Sequence, residues 1–176
     1  PMDPDTEMGP LSNFKQLEII EKNIKKSIEQ GGKVRCGGKR HPFSNEGYYF
    51  PPTIIECDNH ILPTAENELF GPVLSVMKFN DEKEVIEKMN DNQYGLSSGV
   101  YTSDFARGLR VSNAIRAGIT FVNTYRLISP SAPFGGIKDS GYGKEAGMES
   151  IKDYTRVKTT WYYTSDEPTL DPFSIR

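Results

Sequence analysis

The chain has 176 residues and a mass of 19.8 kDa, with 36% hydrophobic residues and a net charge of -3 from 21 basic and 24 acidic side chains, which suits one domain with a modest core. The basic residues are dispersed among acidic ones and offer no face to a nucleic-acid backbone, so nucleic acid is not an expected partner. Apolar runs are far too short for a membrane span and the amino end has no apolar signal region, so the chain reads as soluble and cytoplasmic.

In chain order, residues 1–10 are turn chemistry with no initiating element before them. From Ser12, a candidate N-cap, the recurrence of Leu17, Ile20, Ile24 and Ile28 predicts a helix that Gly31 and Gly32 end. Residues 33–36 read as a short strand, and residues 38–47, with Lys39, Arg40 and His41, as a solvated loop. Residues 48–55 are aromatic and β-branched, hence extended, but Pro51 and Pro52 cannot donate to a ladder and confine this run to an edge or a sheet entrance. A strand is predicted over 73–79, then a helix capped by Asp81 with Glu84 three residues on and Val85, Ile86 and Met89 as its stripe. A strand over 96–102, a helix over about 104–117 entered through Ser103, a stop at Gly118 and a strand over 119–123 follow. Strands and helices alternating at this short spacing predict an α/β fold, a layered, mostly parallel sheet with flanking helices.

Three stretches carry candidate chemistry. Glu66-Asn-Glu-Leu-Phe-Gly-Pro-Val73 places two carboxylates before a large apolar pair, and Pro72 drives Gly71 away from the right-handed helical region, so Phe70 is a positioned ring at a strand mouth. Strand mouths are where α/β proteins place ligands. Residues 124–136 mix bulky apolar side chains with Arg126, the composition of a loop that lines something. Gly135, Gly136, Gly141, Gly143 and Gly147 lie among Lys138, Ser140 and Lys144, but their spacing matches neither phosphate-binding fingerprint. Cys36 and Cys57 are too few for a disulfide framework, and with His41 and His60 they complete no metal site; both cysteines read as structural. Residues 156–164 alternate, with Val157, Thr159, Trp161 and Tyr163 on one face, and a strand of this length near a terminus wants a partner sheet.

Together, Glu66-Asn-Glu-Leu-Phe-Gly-Pro-Val73, Asn-Gln-Tyr-Gly-Leu (92–96), Gly-Ile-Thr-Phe-Val-Asn (118–123), Pro-Phe-Gly-Gly-Ile-Lys-Asp-Ser-Gly-Tyr-Gly-Lys-Glu-Ala-Gly (133–147) and Tyr-Thr-Arg-Val-Lys (154–158) closely resemble the carboxy-terminal part of the NAD(P)-dependent aldehyde dehydrogenase superfamily. The resemblance runs from Asp3 to about Thr164. It implies a catalytic-domain portion over 1–153, an oligomerisation strand over 154–164 that makes a homodimer or homotetramer, and an extended tail over 165–176. It implies oxidation of an aldehyde to a carboxylic acid by NAD or NADP through a cysteine thioester. The nucleophile, the main base and the amino-terminal dinucleotide-binding domain then precede these residues, and the isolated chain is inactive. By the same resemblance Glu68 accepts hydrogen bonds from the nicotinamide ribose and Phe70 limits where the nicotinamide sits. Tyr125, Ile128 and Phe134 wall the aldehyde tunnel, Arg126 falls where identity varies with substrate, and Glu145 serves as a secondary proton relay. A catalytically inactive structural member of the fold and a coenzyme A-acylating enzyme remain as alternatives.

Overall fold

The computed structural model describes residues 2–40, 47–168, 171 and 173. Helix α1 (Phe14–Glu29) starts one residue later than the sequence suggests. Asn13, not Ser12, directly precedes the first helical residue, and its Oδ1 accepts the Gln16 N–H at 2.8 Å. Its buried stripe is Leu17, Ile20, Ile24 and Ser27, while Ile28 lies half exposed on the flank. Ser27 is drawn in because its hydroxyl accepts the Thr64 N–H at 3.0 Å, satisfying the first turn of α2 (Pro63–Glu66).

Strands β1 (Lys33–Cys36), β2 (Thr53–Cys57) and β3 (Val73–Met77) form one sheet in that order, β1 antiparallel to β2 and β2 parallel to β3. The ladder of β2 begins only at Thr53, since the two prolines before it have no N–H to give. Thr53, Ile55 and Cys57 are the buried face of β2, and Ile55 and Cys57 make the main core with Leu17, Ile20 and Ile24 of α1 and with Phe50, Leu62 and Leu69. Helix α3 (Glu82–Asn90) then leads to β4 (Ser97–Val100), and α4 (Phe105–Ala114) to β5 (Ile119–Val122). β4 and β5 pair in parallel as a second sheet. The α/β class and the parallel crossovers agree with the sequence reading; the division into two sheets among the described residues does not follow from it. Asp81 caps α3 as predicted, accepting the Glu84 N–H at 2.8 Å, and Asp104 caps α4.

Beyond β5 the chain makes a tight hairpin with short 3-10 turns at Lys138–Ser140 and Met148–Ser150, then helix α5 (Ile151–Tyr154). Residues 155–164 belong to no sheet among the described residues, and Val157, Trp161 and Tyr162 are almost wholly exposed. Their alternation is legible in the sequence, but a strand exists only where another strand supplies its hydrogen bonds. His41 of the expected solvated loop lies outside the described residues.

Candidate functional site

The acidic turn is fixed by what surrounds Phe70. Leu69 is buried in the main core, and its carbonyl accepts a hydrogen bond from the Gln16 side-chain amide. Gly71 lies so close to α1 that an added Cβ would stand 2.3 Å from Ile20 Cδ1. Pro72 offers its carbonyl to the Thr53 N–H at 2.8 Å, which starts the β2–β3 ladder. Between these anchors Phe70 takes a left-handed conformation, φ +46°, and its ring is turned out, 76% exposed. The sequence places the constraint at Gly71; the structure moves the strained torsion one residue back, because Gly71 is needed for close approach to Ile20. Glu68 is exposed and has no hydrogen bond or ion pair among the described residues, so both carboxylate oxygens are free to accept.

The loop 124–136 is set by Asn123 and by the hairpin that follows. Asn123, at φ +53°, donates from Nδ2 to the Thr102 carbonyl and accepts the Thr102 N–H at Oδ1, both at 2.8 Å, so its side chain stands in for the next rung of the β4–β5 ladder. That frees the backbone to leave the sheet. The hairpin closes where Phe134 and Glu145 exchange backbone hydrogen bonds of 2.6 and 2.7 Å. Gly118 touches this hairpin so tightly that a Cβ there would lie 1.9 Å from the Gly135 carbonyl oxygen.

The two lysines of the glycine-rich stretch point into the protein. Lys144 Nζ donates to the carbonyls of Gly135 (2.8 Å) and Gly136 (2.7 Å). Lys138, itself at φ +54°, donates to Asn90 O (2.9 Å) and Asn92 O (2.7 Å) at the carboxyl end of α3, where helix carbonyls lack partners and the dipole is negative. Asn90 also ties down the end of α4, donating to Ala114 O at 2.9 Å and accepting the Arg116 N–H at 2.7 Å. With both ammonium groups occupied by carbonyls, this stretch is a backbone clamp and not a phosphate cradle. Gln16, Asn90, Asn123, Lys138 and Lys144 escaped the sequence reading as site-shaping residues; the available signal was a lysine or amide beside an element end.

A cleft of about 810 Å³ opens between the two sheets, with Glu66 and Glu68 on one wall, Leu96 and Ser140 on the other, and Val85 and Met89 of α3 behind. Glu68 therefore shares a concavity with the hairpin. Phe70, Tyr125, Arg126, Ile128, Phe134 and Glu145 do not line that cleft. Tyr125 stands edge-on to Phe121, ring centroids 6.2 Å apart, and like Ile128 it is largely exposed; Arg126 is exposed at φ +56° and Phe134 half-buried. At the rim His60 Nε2 meets Asp91 Oδ2 at 2.6 Å. No group of three or more His, Cys, Asp or Glu among the described residues could hold a metal ion. Burial pushes the Cys57 thiol above its ordinary pKa, the reverse of an activated nucleophile.

Residues 1–160 match the Aldehyde dehydrogenase family. The chain belongs to that family. A curated relative, (Z)-2-((N-methylformamido)methylene)-5-hydroxybutyrolactone dehydrogenase of Acinetobacter baylyi, is 48% identical over all of this chain and 36% of its own length. The 4-trimethylaminobutyraldehyde dehydrogenase of Sus scrofa is 41% identical over 90% of this chain and 33% of its own. Among solved structures, PnpE in complex with nicotinamide adenine dinucleotide superimposes with a TM-score of 0.90 at 39% identity, covering 98% of this chain and 36% of that one. The NAD+ complex of the Bacillus cereus aldehyde dehydrogenase gives 0.87 at 38% identity, covering 93% and 33%. The chain thus spans about a third of the length of the relatives it matches.

Proposed function

We propose that this chain is the part of an NAD(P)-dependent aldehyde dehydrogenase that holds the nicotinamide end of the coenzyme and lines the aldehyde's entrance. The observation that carries the reading is Glu68: an exposed carboxylate with no partner among the described residues, at the mouth of β3, on a turn held by Leu69, Gln16 and Gly71. The residues fit the dinucleotide, since a carboxylate with two free acceptor oxygens suits a pair of neighbouring ribose hydroxyls. Bound there, NAD or NADP supplies the hydride acceptor.

This chain's own contribution is placement. Glu68 orients the ribose, the Phe70 ring limits the nicotinamide's travel, and a misplacement of about 1 Å costs ~100-fold in rate. Tyr125, Arg126, Ile128 and Phe134 face the aldehyde, and Glu145 relays a proton. The nucleophilic cysteine, which forms the thioester, and its base come from polypeptide outside this chain, as does the dinucleotide-binding domain. Residues 154–164 form the strand through which subunits pair as a cytoplasmic homodimer or homotetramer. Relatives named as aldehyde dehydrogenases and a neighbour solved with bound NAD+ support this reading. The test is Glu68→Gln in the intact enzyme. Single-turnover hydride transfer is expected to slow by at least ~10-fold with less change in dinucleotide affinity; an unchanged single-turnover rate overturns the role.

A further inference from the structure

The loop 124–136 carries one charged side chain, Arg126, and nothing in this part of the chain balances it. No Asp or Glu occurs from residue 105 to residue 138. The other cations of that span are accounted for: Arg107 and Arg110 pair with Glu82, Lys138 is held by carbonyls, and Arg116 lines a hollow together with Asp91 and Asp139. Arg126 is exposed and has no hydrogen bond or ion pair among the described residues.

The backbone that presents it is tied down on both sides. Before it, Asn123 bonds to Thr102, the Tyr101 hydroxyl donates to the Thr124 carbonyl at 3.2 Å, and the Tyr125 ring stands edge-on to buried Phe121. After it, the Ala132 N–H donates to Ser129 O at 3.0 Å and the Gly147 N–H to Pro130 O at 2.9 Å. Between these ties Arg126 sits at φ +56°, a conformation that a residue with a long side chain adopts only when its surroundings impose it. Glycine or asparagine would take the same torsion at lower cost. Arginine at a position where the backbone favours glycine implies a task for the guanidinium.

The neighbours of Arg126 set the chemistry of its ligand. Tyr125, Leu127 and Ile128 are exposed apolar side chains on either side of it. One planar, permanently charged fork beside apolar surface suits a carboxylate on a hydrocarbon chain, held through two parallel N–H···O bonds. A phosphate dianion would call for a second cation, and the lysines of the hairpin, Lys138 and Lys144, already donate to carbonyls.

We infer that the substrate is an oxo acid, with an aldehyde at one end and a carboxylate at the other, and that Arg126 selects it by binding the carboxylate. This rests on the catalytic reading above and adds to it the class of aldehyde. The remote carboxylate takes no part in the chemistry: the aldehyde C–H leaves as hydride to NAD(P)+, water supplies the new oxygen, two protons are released, and the product is a dicarboxylate.

The test compares straight-chain ω-oxo acids of four to seven carbons with the unbranched alkanals of equal length, using the intact enzyme. The parent is expected to favour an oxo acid in kcat/KM. Arg126→Met should lower that value by ~10- to 100-fold while changing the matching alkanal by less than ~3-fold, and Arg126→Lys should recover part of the loss. An oxo-acid-to-alkanal ratio that Arg126→Met leaves unchanged overturns the inference, as does a parent that favours the alkanal at every length. Calorimetric binding of the saturated dicarboxylates of the same lengths needs no turnover and separates this inference from the catalytic reading. If no aldehyde is oxidised, the catalytic reading falls; dicarboxylate affinity that drops by at least ~10-fold in Arg126→Met then sustains the carboxylate site, and equal affinity in both proteins overturns it.

Discussion

The turn that carries Glu68 and the hairpin that carries Phe134 are positioned by opposite means. Under the first lies an apolar core in which Leu17, Ile20, Ile55 and Cys57 are essentially inaccessible. Outside that core, the buried hydrophobics among the described residues are Val111, Ile115 and Phe121, and the hairpin's order comes from side chains bonding to backbone: Lys138, Lys144, Asn90 and Asn123. Apolar burial is non-directional and fixes a turn by excluding water, whereas a charged donor shared by two carbonyls fixes a direction. Where a loop must keep bulky side chains exposed, as 124–136 does, burial is not on offer and polar clamps take over.

The largest test of that contrast is Ile20→Ala. Ile20 is fully buried and fills the space that Gly71 leaves, so truncation is expected to cost about 2–5 kcal/mol, read by denaturant unfolding. The Glu68 turn should loosen with it, while amides of the hairpin keep their protection relative to the global transition. Equal loss of protection in both regions would mean that they are one cooperative unit.

Next is Lys138→Met, which keeps most of the stem and removes the ammonium from Asn90 O and Asn92 O. Two charge-assisted bonds, one part-buried and one exposed, predict a loss of about 1–3 kcal/mol. Its signature is local: faster exchange at Asp139 and Gly95, whose N–H groups bond to Gln93 O and Ser140 Oγ, ahead of any change in β2 or β3. A uniform change across the chain would place Lys138 in the general fold and remove the contrast.

What was legible in the sequence follows the same division. Elements defined by apolar period and by caps were readable: α1 through Leu17, Ile20 and Ile24, and α3 through Asp81. So was the α/β class, which depends on the order of elements and not on their contacts. The clamps were not, because Lys138 and Asn90 are 48 residues apart and nothing local distinguishes a lysine that turns inward from one that faces water. The split of the sheet was equally hidden, since pairing is a relation between strands and β3 and β4 read as ordinary members of a series. At the site, Glu68 lines the cleft, but the left-handed torsion at Phe70 depends on the fit of Gly71 against Ile20 and could not be read from eight residues.

A smaller effect is expected on acidification. The Glu84 carboxylate is held at about 2, below its ordinary value, first by its bond to Lys88, then by the Asn80 N–H. A depressed carboxylate stabilises the fold above its unfolded pKa, and that contribution is lost as pH falls from roughly 4.5 toward 2. The start of α3 should therefore fray across this window, and Glu84→Gln should flatten that part of the stability profile. A profile that Glu84→Gln leaves unaltered would remove Glu84 from the account of α3.

The smallest expected change in stability is also the one that separates packing from function. Phe70 is mostly exposed and sits in a conformation that glycine adopts without strain. Phe70→Gly removes a ring with few contacts and relieves the torsion, at the cost of a more flexible unfolded chain, so the two backbone effects oppose each other. Net stability should stay within about 0.5 kcal/mol of the parent. On the proposed role of the ring as a limit on the nicotinamide, the same change should slow hydride transfer in the intact enzyme. If the stability of the intact enzyme falls by well over about 1 kcal/mol instead, the ring is packed against other polypeptide, and its role is structural and not to limit the coenzyme.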